Sequence, residues 1–88
     1  MIKVFKEGNV TVPMFVCDIC NKPITDGEMA VAVFQNLPLL DGIETAEVLH
    51  AHKGRCHDVA EKRLGKTAGF DELTNHCRYL LNNASIKL

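Results

Sequence analysis

The chain has 88 residues, of which 47% are hydrophobic and 24% are charged, with ten basic side chains against eleven acidic ones. This length predicts one folded domain over residues 1–88, and the composition excludes the disordered, collagen-like and low-complexity classes. A formal net charge of -1 excludes a general electrostatic attraction to nucleic acid or to an anionic membrane.

No apolar run approaches the roughly 20 residues that span a bilayer, and the first residues lack the long apolar stretch of a signal peptide. We therefore expect a cytoplasmic protein without a membrane segment. In that reducing compartment, the four cysteines indicate metal ligands or free thiols instead of a disulfide framework.

The first half of the chain has the pattern of β structure. Residues 2–6 and 10–16 favour extended backbone, and the turn residues between them predict a hairpin. Because Pro13 cannot donate to a ladder, we place the second strand at a sheet edge. The apolar run over residues 28–34 predicts a central strand that is buried on both faces.

The second half changes from strand to helix periodicity. Residues 43–52 predict a third strand, and a short helix follows from Arg55 to Leu64, with Gly65 as its C-terminal cap. A second helix is predicted over about residues 70–82, with an apolar stripe that packs across the sheet or against another subunit. Its members are Phe70, Leu73, Cys77, Leu80 and Leu81. The predicted fold is α+β, with small antiparallel hairpins followed by two C-terminal helices.

Two Cys/His pairs have the spacing of metal ligands. Cys17 and Cys20 flank two residues at a strand-to-turn junction, and His52 and Cys56 lie where a strand gives way to a helix. Three thiolates and one imidazole favour tetrahedral Zn²⁺, and four protein ligands leave no open position for substrate. The pattern therefore predicts a zinc knuckle with a structural ion, whereas Cys77 is predicted to pack in the core.

The order of knuckle, hairpin and ligand-bearing helix resembles the treble-clef zinc fingers, the group that includes LIM-type modules. The resemblance covers about residues 12–64 and rests on Cys17-Asp18-Ile19-Cys20 and His52-Lys53-Gly54-Arg55-Cys56. It implies a treble-clef fold with these two pairs as ligands, and it does not fix a function. The second pair has three intervening residues where such fingers commonly have two, so His50 and His57 stay open as alternatives to His52.

The size of the zinc contribution predicts that folding depends on the metal. A domain of this length has a net stability on the order of 5–10 kcal/mol, whereas a structural zinc site contributes about 10–16 kcal/mol. We therefore expect the metal-free chain to be unfolded or molten over residues 12–64.

The leading functional hypothesis is a zinc module that contacts another protein or a second copy of itself. The segment 35–42 is apolar although it contains turn residues, and it exposes a contact patch if its leucines do not cover the sheet. These leucines are Leu37, Leu39 and Leu40.

Two alternatives belong to other functional classes. Residues 53–66 carry a local excess of positive charge that a nucleic-acid-binding finger would use, although it also suits a solvated helix face. The basic members are Lys53, Arg55, Lys62, Arg63 and Lys66, against Asp58 and Glu61. Deaminase and metalloprotease motifs are missing from the sequence, so catalysis is not expected. An HNH-like metal-dependent nuclease would need His50, His52 and His57 around an open metal position.

Overall fold

The computed structural model describes residues 1–36 and 45–88 of the chain. Within these ranges it has two antiparallel sheets and two α-helices, which confirms the predicted α+β class. The strands are β1 (Ile2–Glu7), β2 (Val10–Phe15), β3 (Ala30–Gln35), β4 (Val48–His52) and β5 (Ala68–Glu72), and the helices are α1 (Arg55–Leu64) and α2 (Leu73–Asn83).

β1 and β2 form the predicted N-terminal hairpin. Glu7 pairs with Val10 across a two-residue turn, and Gly8 adopts a φ of 60°, as the first central position of a type II′ turn requires. Pro13 lies in a strand with only β1 beside it, as its missing N–H predicted. Most side chains of this hairpin are exposed, so it extends from the rest of the fold as an arm.

The second sheet has the strand order β4-β3-β5, with both neighbours antiparallel to β3. Ala30, Val31, Ala32 and Val33 are each at most 1% exposed. Residues 30–33 therefore form a central strand buried on both faces, as predicted, but the predicted start at residue 28 was wrong. Gly27–Met29 form a 3-10 turn, and Met29 is 55% exposed.

Helix α1 begins and ends at the predicted residues. Gly65 terminates it with a φ of 89°, and its N–H donates to the carbonyl of Glu61 at 2.9 Å. Ala60 and Leu64 are buried where α1 packs against β3 and β4. This packing fixes the start of the helix, and with it Cys56, beside the end of β4.

The prediction of a helix from residue 70 was wrong at its start, because residues 68–72 form β5. Phe70 pairs with Val33 of β3, and the helix begins only at Leu73. The side chain of Asn36 lies over Gly69, where a Cβ would require the Asn36 amide to move. The local sequence weakly favours a helix. Residues 68–72 form a strand instead, because they can pair with the open edge of β3.

The predicted apolar stripe is consequently shorter than expected. Leu73 is buried and Cys77 packs against the core, but Phe70 is 51% and Leu80 is 48% exposed. These two side chains therefore do not pack across the sheet. Phe70 lies in β5 and not in the helix, and Leu80 lies on an exposed part of α2. The alternative, packing against another subunit, stays a prediction.

The third predicted strand is also shorter than expected. β4 begins at Val48, and residues 45–47 have no regular structure. The remainder of the prediction, residues 43–44, lies outside the described residues, as do Leu37, Leu39 and Leu40.

Candidate metal centre

The Cys17–Cys20 segment forms a tight knuckle after β2. The N–H of Cys17 donates to the carbonyl of Lys22 at 2.9 Å, and the N–H of Asn21 donates to the carbonyl of Cys17 at 3.0 Å. Asn21 adopts the left-handed conformation, with a φ of 61°, that lets the chain double back. The two cysteines therefore lie on the same side of a single bend.

The second half of the site is the turn from β4 into α1. His52 is the last residue of β4 and Cys56 is the second residue of α1. Gly54, between them, has a φ of 89° and a ψ of -128°, a conformation that residues with a Cβ rarely adopt. This glycine reverses the chain within one short turn and brings the helix start back towards the strand end.

These two segments meet. The donor atoms of Cys17, Cys20, His52 and Cys56 all lie within 4.8 Å of one another, and the Sγ of Cys20 is 3.4 Å from the Nδ1 of His52. Tetrahedral zinc with its usual bond lengths would set sulfur–nitrogen separations of about 3.6 Å and sulfur–sulfur separations of about 3.8 Å. The spacing of the four residues, hereafter the Cys3His cluster, therefore fits one metal ion.

The surroundings of Cys17 favour the thiolate form of its side chain. Burial raises the pKa of this thiol, but the backbone N–H groups of Cys20, His52 and Ile19 interact with its sulfur and hold its pKa lowered, at about 6. Burial raises the pKa of Cys56 to about 11, and the neighbouring Cys17 and Cys20 contribute in the same direction. A divalent cation would relieve this crowding of thiolates, because metal binding displaces thiol protons.

Neither alternative imidazole belongs to the cluster. His50 directs its Nδ1 to the α-amino group of Met1 at 2.7 Å and packs edge-on against Phe15. The Nε2 of His57 lies at hydrogen-bond distance, 2.8 Å, from the Glu61 carboxylate, and the ring packs edge-on against Phe70. His52 is the imidazole that faces the thiols, so the first assignment from the sequence matches the geometry.

Cys77 lies apart from the Cys3His cluster. It is partly buried against the core, and burial raises the pKa of its thiol. His76, beside it on α2, is half-buried and faces His50 with ring centroids 6.0 Å apart. The placement of Cys77 agrees with its predicted packing role.

Asp18 is a functional residue that sequence reasoning missed. Its carboxylate accepts hydrogen bonds from the His50 backbone N–H at 2.7 Å and from the α-amino group of Met1 at 2.8 Å. It thereby connects the knuckle to β4. Its position inside the Cys-x2-Cys motif was visible in the sequence, but its distant partner was not.

The basic residues of segment 53–66 are exposed on and around α1. Lys53 is paired with Glu72 at 2.7 Å, so part of the local positive charge is neutralised across the turn. The HNH-like alternative needs three histidines around one ion, and the positions of His50 and His57 do not provide this arrangement.

Comparisons of the chain with protein-family models, with curated proteins and with solved structures gave no match. In the part of the chain that the structure describes, no helix combines the length and the apolarity needed to cross a membrane.

Proposed function

We propose that the chain is a small structural zinc module, in which Zn²⁺ joins the knuckle to the β4–α1 turn, and that the module contacts another protein. The observation that carries the zinc assignment is the convergence of three sulfurs and one imidazole nitrogen within 4.8 Å. Soft thiolates with an imidazole suit Zn²⁺ better than they suit Mg²⁺ or Ca²⁺, which prefer oxygen ligands.

The donor set supports a structural role. Cys17, Cys20, His52 and Cys56 would complete a tetrahedral shell, whereas a catalytic zinc keeps one position for water or substrate. The element order also supports the resemblance to treble-clef fingers, because a knuckle, the antiparallel pair β3–β4 and a helix that contributes Cys56 follow one another. In this proposal the ion adds stability that the small hydrophobic core of a short chain does not provide.

The composition of the core explains why an ion would matter. Among the described residues, the largest fully buried side chains are Val16, Val31, Val33 and Cys17. Because the apolar area removed from water is small for such side chains, burial alone provides little stability. A metal that links residues distant in the sequence would stabilise the same region by restricting the unfolded chain.

Metal analysis and thiol titration test the zinc assignment. Untagged protein purified without chelators is expected to contain about one zinc per chain, with three thiols protected until the metal is removed and Cys77 reactive once the fold opens. The matched variants are Cys20→Ser, which should lose the metal, and Cys77→Ser, which should retain it. A folded chain without metal, in which all cysteines titrate alike, would contradict the proposal.

For the partner, we infer a protein contact or self-association through Leu37, Leu39 and Leu40. The inference comes from their apolar character in a segment that also contains turn residues, because apolar surface patches favour association. Replacing Leu39 and Leu40 by aspartate should leave zinc content and folding intact and should reduce association. Loss of folding would instead assign these leucines to the core. The reduced thiols that the zinc site needs support a cytoplasmic location.

A further inference from the structure

The hairpin arm has an outer edge along β1 that is free to pair. Met1 and Val16 exchange two backbone hydrogen bonds, with N–O distances of 2.7 and 2.9 Å. In an antiparallel ladder, hydrogen-bonded and non-hydrogen-bonded pairs alternate. The odd residues of β1 therefore bond β2, whereas Ile2, Val4 and Lys6 direct their backbone N–H and C=O groups outwards.

The opposite edge of the hairpin, along β2, is partly blocked. The outward carbonyl of Phe15 accepts the N–H of Ile24 at 2.8 Å, and Pro13, also on the outward side, has no N–H to donate. Among residues 1–36 and 45–88, no strand pairs with the outer edge of β1. An added strand would therefore find its hydrogen-bonding partners on β1.

The side chains of β1 are complementary to a second copy of the same strand. Lys3, Phe5 and Glu7 alternate along one face, and within the described part of the chain neither charged residue forms an ion pair. If two β1 strands pair antiparallel about a two-fold axis at Phe5, Lys3 of each copy lies opposite Glu7 of the other. The two phenylalanines then face each other at the centre.

The backbone geometry permits this register. Phe5 bonds β2, so it would form a non-hydrogen-bonded pair with its own counterpart, in which opposing side chains come closest. Val4 would pair with Lys6 of the second copy through the outward N–H and C=O groups. The contact would also cover part of Ile2 and Val4, whose exposed fractions are 64% and 65%.

We propose that the outer edge of β1 is a self-association surface, on which a second copy of the chain adds its own β1 to form a continuous four-stranded sheet. Strand addition of this kind uses backbone hydrogen bonds for affinity and alternate side chains for specificity. The two-fold arrangement closes on itself, so the product is a dimer and not a fibre. No residue of the Cys3His cluster belongs to β1, so the surface is separate from the cluster.

Charge exchange between copies tests this register. By sedimentation equilibrium the wild-type chain should show twice the chain mass of 9.8 kDa. Lys3→Glu and Glu7→Lys should each weaken the dimer by about ten-fold or more, since each replaces two attractive cross-strand pairs by two repulsive ones. An equimolar mixture of these two variants should restore the dimer, because every pair is again attractive. Lys6→Glu, which makes the same charge change on the other face, should remain dimeric.

Amide hydrogen exchange provides a readout that does not rely on substitution. The N–H groups of Val4 and Lys6 should exchange more slowly as the protein concentration rises, whereas that of Lys3, already bonded to β2, should not change. Far-UV circular dichroism and zinc content establish that each variant is folded. A wild-type chain that stays monomeric at about 1 mM, or a mixture of the two variants that fails to recover the dimer, would overturn the proposal.

Discussion

Asp18 and His50 bond each other twice across the chain. The N–H of Asp18 donates to the carbonyl of His50 at 2.8 Å, and the carboxylate Oδ2 of Asp18 accepts the N–H of His50 at 2.7 Å. Asp18 lies between the two cysteines of the knuckle, and His50 precedes His52 on β4. This reciprocal pair therefore connects the knuckle to β4 and contributes to positioning the two halves of the Cys3His cluster.

Replacing Asp18 by alanine should weaken both the fold and the metal site. The substitution leaves the N–H of His50 and the α-amino group of Met1 without their acceptor, so we expect a loss of about 1–3 kcal/mol in the free energy of unfolding. Because Asp18 holds the knuckle against β4, and both carry ligands, its loss should misplace the ligands and lower zinc affinity by about 10-fold to 100-fold. Urea unfolding and competition with a chromophoric chelator measure the two effects.

Asp26→Ala is the matched control for this substitution. Asp26 also accepts a backbone hydrogen bond, from Glu28 N–H at 3.0 Å, but it caps a local turn and does not connect the two halves of the cluster. The substitution should lower the free energy of unfolding by about 1 kcal/mol without changing zinc affinity. Equal losses of affinity in Asp18→Ala and Asp26→Ala would contradict a positioning role for Asp18.

Gly54→Ala should damage the site through backbone conformation alone. A Cβ at this position would meet no atom within 4 Å, so the cost comes from the φ of 89° and not from a collision. A strained residue of this kind costs on the order of 1–3 kcal/mol, and relief of the strain would move Cys56 away from His52. Thermal unfolding and zinc competition should therefore both change.

Gly27→Ala separates this effect from the general loss of a glycine. Gly27 does not adopt a positive φ, and a Cβ there would make only an ordinary contact with Thr74. The variant should be nearly neutral or slightly stabilised, because alanine restricts the unfolded chain. If Gly27→Ala were as destabilised as Gly54→Ala, the conformational argument would be wrong.

Local signals in the sequence were sufficient for several parts of this fold. The turn before Val10, the uninterrupted apolar run of β3 and the glycine after Leu64 each specify structure through neighbouring residues, and each prediction was confirmed. The spacing of the two Cys/His pairs likewise identified the residues that converge in the cluster.

The parts that sequence reasoning missed depend on distant partners. β5 forms because the edge of β3 is available for pairing. Residues 68–72 have no sequence pattern of their own that predicts a strand. Asp18 acts through His50, which lies far along the chain, so its role has no local signature. The exposed Phe70 follows from the same cause, since a residue assigned to the wrong element is also assigned to the wrong face.

Removing the metal should unfold the region that the Cys3His cluster joins. Among the described residues, the fully buried side chains are no larger than valine, and Ala60 and Leu64 are the buried residues of α1. Because this apolar burial is limited, α1 and the knuckle depend on the ion to stay together. Treatment with a chelator under reducing conditions should reduce the chemical-shift dispersion of the amide NMR signals from residues 12–64. Added zinc should restore this dispersion. A metal-free chain with an unchanged, well-dispersed spectrum would contradict this prediction.

His50 should make stability depend on pH between about 4 and 6.5. Burial lowers the pKa of this imidazole to about 4, with a further lowering by the Met1 amine and by His76 that Asp18 partly opposes, whereas its ordinary pKa is 6.5. In this window the unfolded chain binds a proton at His50 and the folded chain does not, so unfolding takes up protons. The contribution of His50 is therefore complete above pH 6.5 and is lost as the pH falls towards 4.

His50→Gln isolates this contribution, because glutamine keeps a polar side chain and does not titrate. The two proteins should differ in pH dependence by an amount on the order of 1–2 kcal/mol in the free energy of unfolding, with the variant flatter between pH 4 and 6.5. Effects of pH on the metal ligands are common to both proteins and cancel in the difference. Urea unfolding at several pH values measures this difference. If the free energy of unfolding changed with pH in the same way for wild type and His50→Gln, the burial of His50 would not control acid stability.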